Sequence, residues 1–315
     1  MQSPEARLQP AREVPAFELV ELTARLRRIL TERGEPLAPG WPEIAAERLR
    51  TGELDGWVVV EGGRRVGLAL LSRRDSRAYG HLHVEPSPDP VQVGRLLAAR
   101  STEGLPPEIQ RTDFGVTGLS EAQERELGGL LRRRPGFELI ERIGLSHSLT
   151  LSEIPVPREL PTGIEFLPVD AVPVGSLDEL DRRAFRGGPD ESLVADSPEG
   201  NRRVLERILA GELGRFLPEA SMTVAEGENL VGFLLTTEEN PRSASFADLA
   251  VDPAYRRRGV GAALLTRGLR ALLALGYSSA RLWVTAANTP ARELYHALGF
   301  ERERSAFIYR YRPPR

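Results

Sequence analysis

The sequence predicts a mixed α/β (α+β) protein built from two copies of one domain. Three observations carry that prediction. Strand-like and helix-like runs alternate along all 315 residues instead of gathering at one end. Short motifs recur in a fixed order: Glu47–Leu54 parallels Glu206–Leu213, Val66-Gly67 parallels Val231-Gly232, Val84-Glu85-Pro86 parallels Val251-Asp252-Pro253, and Gly136-Phe137 parallels Gly299-Phe300, at separations of 159 to 167 residues. A period this long marks a domain duplication and not a solenoid. Finally, a proline-rich run at residues 151–161 reads as a linker. The expected layout is a first domain at 1–150, a linker at 151–161 and a second domain at 162–315.

Each copy follows one order of elements. The first opens with a short strand at Ala6–Gln9, followed by one or two helices. Strands at Trp57–Val60 and Arg65–Leu71 flank the turn Glu61-Gly62-Gly63-Arg64, a hairpin signal. A further strand carries His81 and His83, which alternation places on one face. They read as surface residues and not as a ligand pair. The second copy repeats the pattern with a strand at Ile164–Leu167 and a hairpin of Met222–Ala225 and Leu230–Thr236 around Glu226-Gly227-Glu228-Asn229. A strand at Phe246–Val251, a helix at Val260–Leu275 stopped by Gly276, and a strand at Arg281–Thr285 come next. The last helix takes Asn288 or Thr289 as its cap, Pro290 in its first turn and Gly299 at its end, where a left-handed residue is favoured. A final strand completes the copy.

Composition excludes several function classes. Hydrophobic content of 41% and charged content of 28% are those of a soluble globular chain. The net charge of −3 gives no basic signature for nucleic acid. Without cysteine there is no disulfide, thiolate nucleophile or cysteine-held metal. The four histidines form no metal motif, so no metal is expected. No signal-peptide pattern and no long apolar run appear, so the expected location is cytoplasmic with no membrane partner.

The chemistry concentrates at Arg256-Arg257-Arg258-Gly259-Val260-Gly261, between the Phe246–Val251 strand and the Val260–Leu275 helix. A helix N-terminus has N–H groups without intrahelical partners and the positive end of the helix dipole. Glycines let a ligand approach the backbone, and arginines add full charge, so the turn suits a phosphate or pyrophosphate. It is no Walker A loop, because the chain has no lysine. It is no dinucleotide fingerprint either, because Leu264 stands where a third glycine would fall.

Together with Val251-Asp252-Pro253 ahead of it, and Asn288, Ala291, Leu294-Tyr295 and Leu298-Gly299-Phe300 behind it, this pattern resembles the GNAT superfamily of acyl-CoA-dependent N-acyltransferases. The departure is Arg257, where many relatives have glycine. The resemblance implies two tandem GNAT-like domains, each a curved, mixed, mostly antiparallel sheet flanked by helices. It implies an acetyltransferase that moves an acetyl group from acetyl-CoA to a primary amine by direct attack, in the second domain. Pyrophosphate would sit on the backbone of Arg257, Arg258, Gly259, Val260, Gly261 and Ala262, with Arg256 adding charge. Pantetheine would run along Leu249 and Val251 where two strands splay, and Asn288 would bond to it or organise the loop. Tyr295 matches the general acid that protonates the departing sulfur, its ordinary pKa of ~10 being near that of an alkyl thiolate. Asp248 is the first choice of general base, with Ser245 or a water-mediated route as alternatives; an ion pair is an equal reading of Asp248. In the loop Arg186–Gly200, Asp190, Glu191 and Asp196 could attract a cationic amine or be solvated. The acceptor would be a small-molecule or peptide amine, and the protein a monomer or homodimer. The rival reading is a non-catalytic acyl-CoA-binding sensor.

The first copy lacks the chemistry. Aligned without a gap from Val84, it has Asp89, Gln92 and Gly94 against Arg256, Gly259 and Gly261, and counting back from Gly136-Phe137 puts Arg132 against Tyr295. A carboxylate would face the phosphates. The first domain is therefore expected to be degenerate and non-catalytic.

Overall fold

A computed structural model describes residues 6–32, 40–74, 76–150, 152, 154–156, 159–191, 193 and 198–314. In chain order the elements are β1 Arg7–Pro10, α1 Ala16–Glu32, α2 Trp41–Thr51, β2 Asp55–Glu61, β3 Arg64–Arg74, β4 Arg77–Val84, α3 Pro90–Thr102, β5 Arg111–Thr117, α4 Glu121–Leu131 and β6 Phe137–Ser148. There follow β7 Ile164–Leu167, α5 Val174–Phe185, α6 Pro198–Leu209, β8 Met222–Glu226, β9 Asn229–Asn240, β10 Ser243–Val251, α7 Val260–Ala274, β11 Ser279–Thr285, α8 Thr289–Ala297 and β12 Glu301–Tyr311.

Two compact units share these elements: one from the chain up to Glu141 together with Ala306 onward, the other from Arg142 to Ser305. In the first, β1, β2, β3 and β4 pair antiparallel in sequence, β4 pairs β5 in parallel, and β5 pairs antiparallel with Tyr309–Tyr311 of β12. In the second, β7, β8, β9 and β10 pair antiparallel, β10 pairs β11 in parallel, and β11 pairs antiparallel with Arg142–Ser148 of β6. The ladders are thus alike, strand for strand. Even an irregularity repeats: the register slips between Val59 and Val60 in one unit and between Val224 and Ala225 in the other. Both sheets are mixed and mostly antiparallel, as expected.

The sixth strand of each unit is the feature that sequence order does not suggest. Reading along the chain assigns residues 142–150 to the first copy and 306–315 to the second; the compact units take them the other way round. Buried polar contacts fix Ala306 onward in the first unit. The guanidinium of Arg310, buried completely, donates to the Asp113 carboxylate at 2.7 and 3.1 Å, and the Tyr309 hydroxyl donates to the Glu124 carbonyl at 2.7 Å. In the second unit, the His147 ring of β6 meets Phe300 edge-on at 5.2 Å.

Helices cover the sheets through apolar stripes of helical period. On α1, Leu19, Leu22, Leu26 and Leu30 lie against Val58, Leu68 and Leu70. On α7, Val260, Leu264, Leu265, Leu269 and Leu272 join Leu234, Phe246 and Leu282 in the largest core of the second unit. Each such side chain contributes about 1.5–3 kcal/mol by leaving water. On the opposite face of that sheet, α5 and α6 pack Leu177, Leu180, Ala184 and Leu205 against Phe233, Leu235 and Ala250. Among the described residues no helix is long and apolar enough to cross a membrane.

Candidate active site

The second unit has an opening in its sheet. β10 and β11 pair only at Ser243, Ala244 and Ser245, opposite Ser279, Ala280 and Arg281. Beyond that, β10 stays paired to β9 as far as Val251 and β11 stays paired to β6 as far as Thr285, so the two strands part between ladders that hold them from outside. The inner edge of β10 at Leu249 and Val251 is left with ladder groups that have no strand partner from β11. An extended chain carrying amides, such as pantetheine, fits such an edge.

The loop and helix at the head of this opening fit an anion. α7 begins after Gly259, whose φ of 89° lies in the left-handed region, and no side chain caps it. The first intrahelical bond of this turn runs from Ala263 N to Gly259 O at 2.9 Å, so the N–H groups of Val260, Gly261 and Ala262 precede the ladder. Arg257 is also left-handed, at φ 62°. The three arginines have different surroundings. Arg256 donates to the carbonyls of Ala184 and Val251, which fastens the loop to α5. Arg258 lies over the Tyr255 ring at 5.0 Å, and the Tyr255 hydroxyl donates to Glu226 at 2.6 Å. Arg257 and Arg258 are exposed. Gly261 is a place of close approach: a Cβ there would meet Leu294 Cδ2 at 3.2 Å.

Tyr295 lies on α8, 9% exposed, with its ring 5.9 Å from that of Phe300. Burial raises its phenol pKa above the ordinary value, and the charges of Asp190 and Asp248 push the same way while Arg142 opposes them. A phenol so placed is held protonated at neutral pH, ready to donate. What positions α8 is a buried polar cluster. Asn288 caps the helix, its Oδ1 accepting from Ala291 N at 3.2 Å, and its Nδ2 donates to Asp190 at 2.5 Å. Thr285, at the end of β11, donates to the other Asp190 oxygen, and Arg142 reaches that oxygen at 3.4 Å and the Trp283 carbonyl at 2.9 Å. Both polar ends of the Asn288 amide are therefore engaged by protein. Asp190 is 8% exposed, which corrects the solvated reading for that residue alone; Glu191 is exposed, as that reading has it, and Asp196 lies outside the described residues. Sequence reasoning missed Arg142, because its neighbours in the chain belong to the first copy.

Asp248 owes its direction to a bulge. On β10, Phe246 pairs with Thr236 and Asp248 with Leu235, so Ala247 is the extra residue. Phe246, Leu249 and Val251 belong to the α7 side, while Ala250 joins the α5 side. Strict alternation would put Phe246 and Asp248 on one face; the bulge separates them and turns Asp248 with Ala250 toward α5. Burial, and then the charge of Asp181 on α5, push the Asp248 carboxyl well above the ordinary range, against one hydrogen bond from the Leu249 backbone. A simple ion pair does not describe it.

The first unit differs at each corresponding point. β4 and β5 stay paired from Arg77–Arg111 through His83–Thr117, with no opening. The helix start shows that the ungapped alignment was wrong: α3 begins after Asp89, which stands at the place of Gly259 and not of Arg256. The Asp89 carboxylate accepts from Gln92 N at 2.9 Å and so occupies the helix N-terminus itself. Counted from the helix caps Ser120 and Asn288, Leu127 and not Arg132 matches Tyr295, and Leu127 is core. His83 is 1% exposed, which corrects its surface reading; it meets Thr117 at 3.0 Å and Glu85 at 3.0 Å, and His81 meets Thr117 from the same face. Among the described residues no group of three His, Asp or Glu side chains could hold a metal.

Comparison with known proteins agrees with this geometry. Residues 178–300, from within α5 to just past α8, match the acetyltransferase (GNAT) family. The mycothiol acetyltransferase of Thermomonospora curvata is 27% identical over 255 residues, which cover 78% of this chain and 83% of that one. The mycothiol acetyltransferase of Streptomyces bingchenggensis is 28% identical over 313 residues, 91% of this chain and 97% of its own. Among solved structures, a GCN5-related N-acetyltransferase from Sphaerobacter thermophilus superposes with a TM-score of 0.61 at 18% identity, covering 99% of this chain and 96% of its own. A tandem GNAT protein from the clavulanic acid biosynthesis pathway has a TM-score of 0.57 at 19% identity and covers 99% and 100%. These two share the fold. The open sheet, the bare helix N-terminus and the buried tyrosine all lie in the segment that matches the GNAT family of acetyltransferases.

Proposed function

We propose that the second unit transfers an acetyl group from acetyl-CoA to a small-molecule primary amine, and that the first unit is silent. The observation that supports this most is the opening between β10 and β11, with the α7 N-terminus and Tyr295 beside it. The residues fit acetyl-CoA: the backbone from Arg257 to Ala262 takes the pyrophosphate and the free edge at Leu249 and Val251 takes the pantetheine amides. Acetyl-CoA supplies an activated acyl carbon and a sulfur leaving group. Asp248 takes a proton from the incoming amine, freeing its lone pair, and Tyr295 gives a proton to the sulfur as it leaves. Asn288 serves by holding α8, since its amide is already engaged by Ala291 and Asp190. The curated relatives are named for mycothiol, a small molecule, so small-molecule amines come first as acceptors.

The test is release of free CoA thiol from acetyl-CoA with a panel of amines. We expect turnover with at least one, and Tyr295→Phe to lower kcat by about 10²-fold or more while leaving acetyl-CoA affinity near normal. Folded protein that binds no acetyl-CoA would overturn the reading.

A further inference from the structure

The two copies differ in length just ahead of their first hairpin strand. Between the Glu47–Leu54 and Val66-Gly67 motifs and their counterparts, the separation of the copies rises from 159 to 165 residues, so the second copy carries six residues more. Those residues lead into the 3-10 turn Pro218–Ala220. There Leu217 and Ala220, both buried, join Met222 of β8 and Leu269 and Leu272 of α7 in one core. The polar groups close as well. The Ser221 hydroxyl donates to the Leu217 carbonyl at 2.8 Å and accepts from Thr236 N at 2.9 Å, and the Thr236 hydroxyl donates to the Ala220 carbonyl at 2.7 Å. The corner between the C-terminal half of α7 and the start of β8 is thus filled.

In the first copy only Gly52, Glu53 and Leu54 join α2 to β2, and the corresponding corner is a cavity of about 230 Å³. Leu54, Leu71, Leu105 and the half-buried ring of Trp57 give it an apolar wall. Three arginines line it too. Arg100 lies over the Trp57 ring at 4.1 Å and donates to Glu103 at 2.8 Å, and Arg73 pairs with Asp55. Arg12 is exposed and forms no ion pair among the described residues. Two of the three cations are matched by the carboxylates that line the cavity, which leaves one positive charge in excess. Ser101, near the end of α3, also lines the cavity; counted from the helix starts, it stands where the second copy has Ala271. It is 3% exposed, and its Oγ has no hydrogen-bond partner. Native structures rarely leave a buried hydroxyl in that state. The cavity is no remnant of a cofactor site: Asp89 occupies the N-terminal end of α3, and the cavity lies at the other end of this 13-residue helix, about 20 Å away.

We propose that this cavity is a binding site of the first copy for a small monocarboxylate with an apolar body. Its volume lies below the ~300–1,000 Å³ of sites that take drug-sized ligands, so the occupant is of fragment size. The carboxylate pairs with the unmatched guanidinium of Arg12, while the body covers Trp57 and the leucines. An acceptor atom of the ligand takes the Ser101 O–H. A cationic ligand would add a like charge beside Arg12, and a dianion would find no second unmatched cation. The copy without acetyl-transfer chemistry is on this basis a ligand-binding domain in its own right.

Tryptophan fluorescence tests this on the full chain. The tryptophans are Trp41, Trp57 and Trp283, so the variant Trp41→Phe with Trp283→Phe reports from the cavity wall alone. Benzoate should change the Trp57 emission along a saturating curve, and benzylamine should not. Arg12→Ala, at an exposed position, should weaken benzoate by about tenfold or more. If the double variant does not fold, calorimetry of benzoate with the unaltered chain and with Arg12→Ala makes the same comparison. Acetyl-CoA should leave benzoate in place. The proposal is overturned by no saturable binding of benzoate, by equal binding of benzylamine, by unchanged affinity in Arg12→Ala, or by displacement with acetyl-CoA, which would put benzoate in a cofactor site.

Discussion

Arg257 adopts φ 62°, a conformation that side-chain-bearing residues pay about 1–2 kcal/mol to hold. Arg257→Gly should therefore raise stability by about 1 kcal/mol in urea denaturation and weaken acetyl-CoA binding through loss of a cation. If stability and affinity both fell, the residue would be holding the loop by contacts other than charge. Asp181 gives a second prediction, on pH. Its folded pKa, about 7, lies above the unfolded value of 3.8, so between those pH values the native state holds a proton that the unfolded chain has released. Stability is then greatest at low pH within this window and declines as pH rises through 7. Asp181→Asn should flatten that decline in thermal melts run from pH 4.5 to 8. Neither carboxylate cluster was legible beforehand in full. Asp178 and Asp181 could have been noticed as acids on the apolar side of an otherwise amphipathic helix. Asp190 gave no such sign, because its burial depends on Thr285, Asn288 and Arg142 arriving from three separate stretches of chain.

At the scale of elements, hairpins, the α7 start and the α8 cap were all legible, because turn and cap chemistry is local. The bulge at Ala247 was not: nothing in Phe246-Ala247-Asp248 marks an extra residue, and with it went the direction of Asp248. The gap between the two copies was also hidden, since three residues fewer separate Val84 from Asp89 than Val251 from Gly259, and only the helix starts reveal it. Asp190 is the pin between β11, α8 and Arg142. Asp190→Ala should cost about 3 kcal/mol, because it leaves the Thr285 hydroxyl and the Asn288 amide without their acceptor and removes the carboxylate that half-buried Arg142 faces. Hydrogen exchange should show faster opening at the first turn of α8 than in α7; equal loss in both would mean that the pin serves the whole unit and not one helix.

For the whole molecule, the zipped β4–β5 pair and the Asp89 cap predict one acetyl-CoA per chain in calorimetric titration. Two equivalents would show a live site in the first unit. The duplication itself was plain in the sequence, because repeated motifs keep their order. The destination of the sixth strands was not, because β6 and β12 carry similar strand patterns and either could complete either ladder.

That exchange of strand ends bears on how the protein is made. The first unit draws its last strand from Ala306 onward, which the ribosome adds only after the entire second unit has been synthesised. Until then the edge of β5 is unpaired and Asp113 has only Arg111 of its two buried arginines, and the half made first must wait for the half made last. A fragment of residues 1–150 is thus expected to remain unfolded by circular dichroism, and to gain structure when the complementary fragment is added. In this chain an ancient doubling has become an obligation: neither copy is any longer a part that could be lent to another protein.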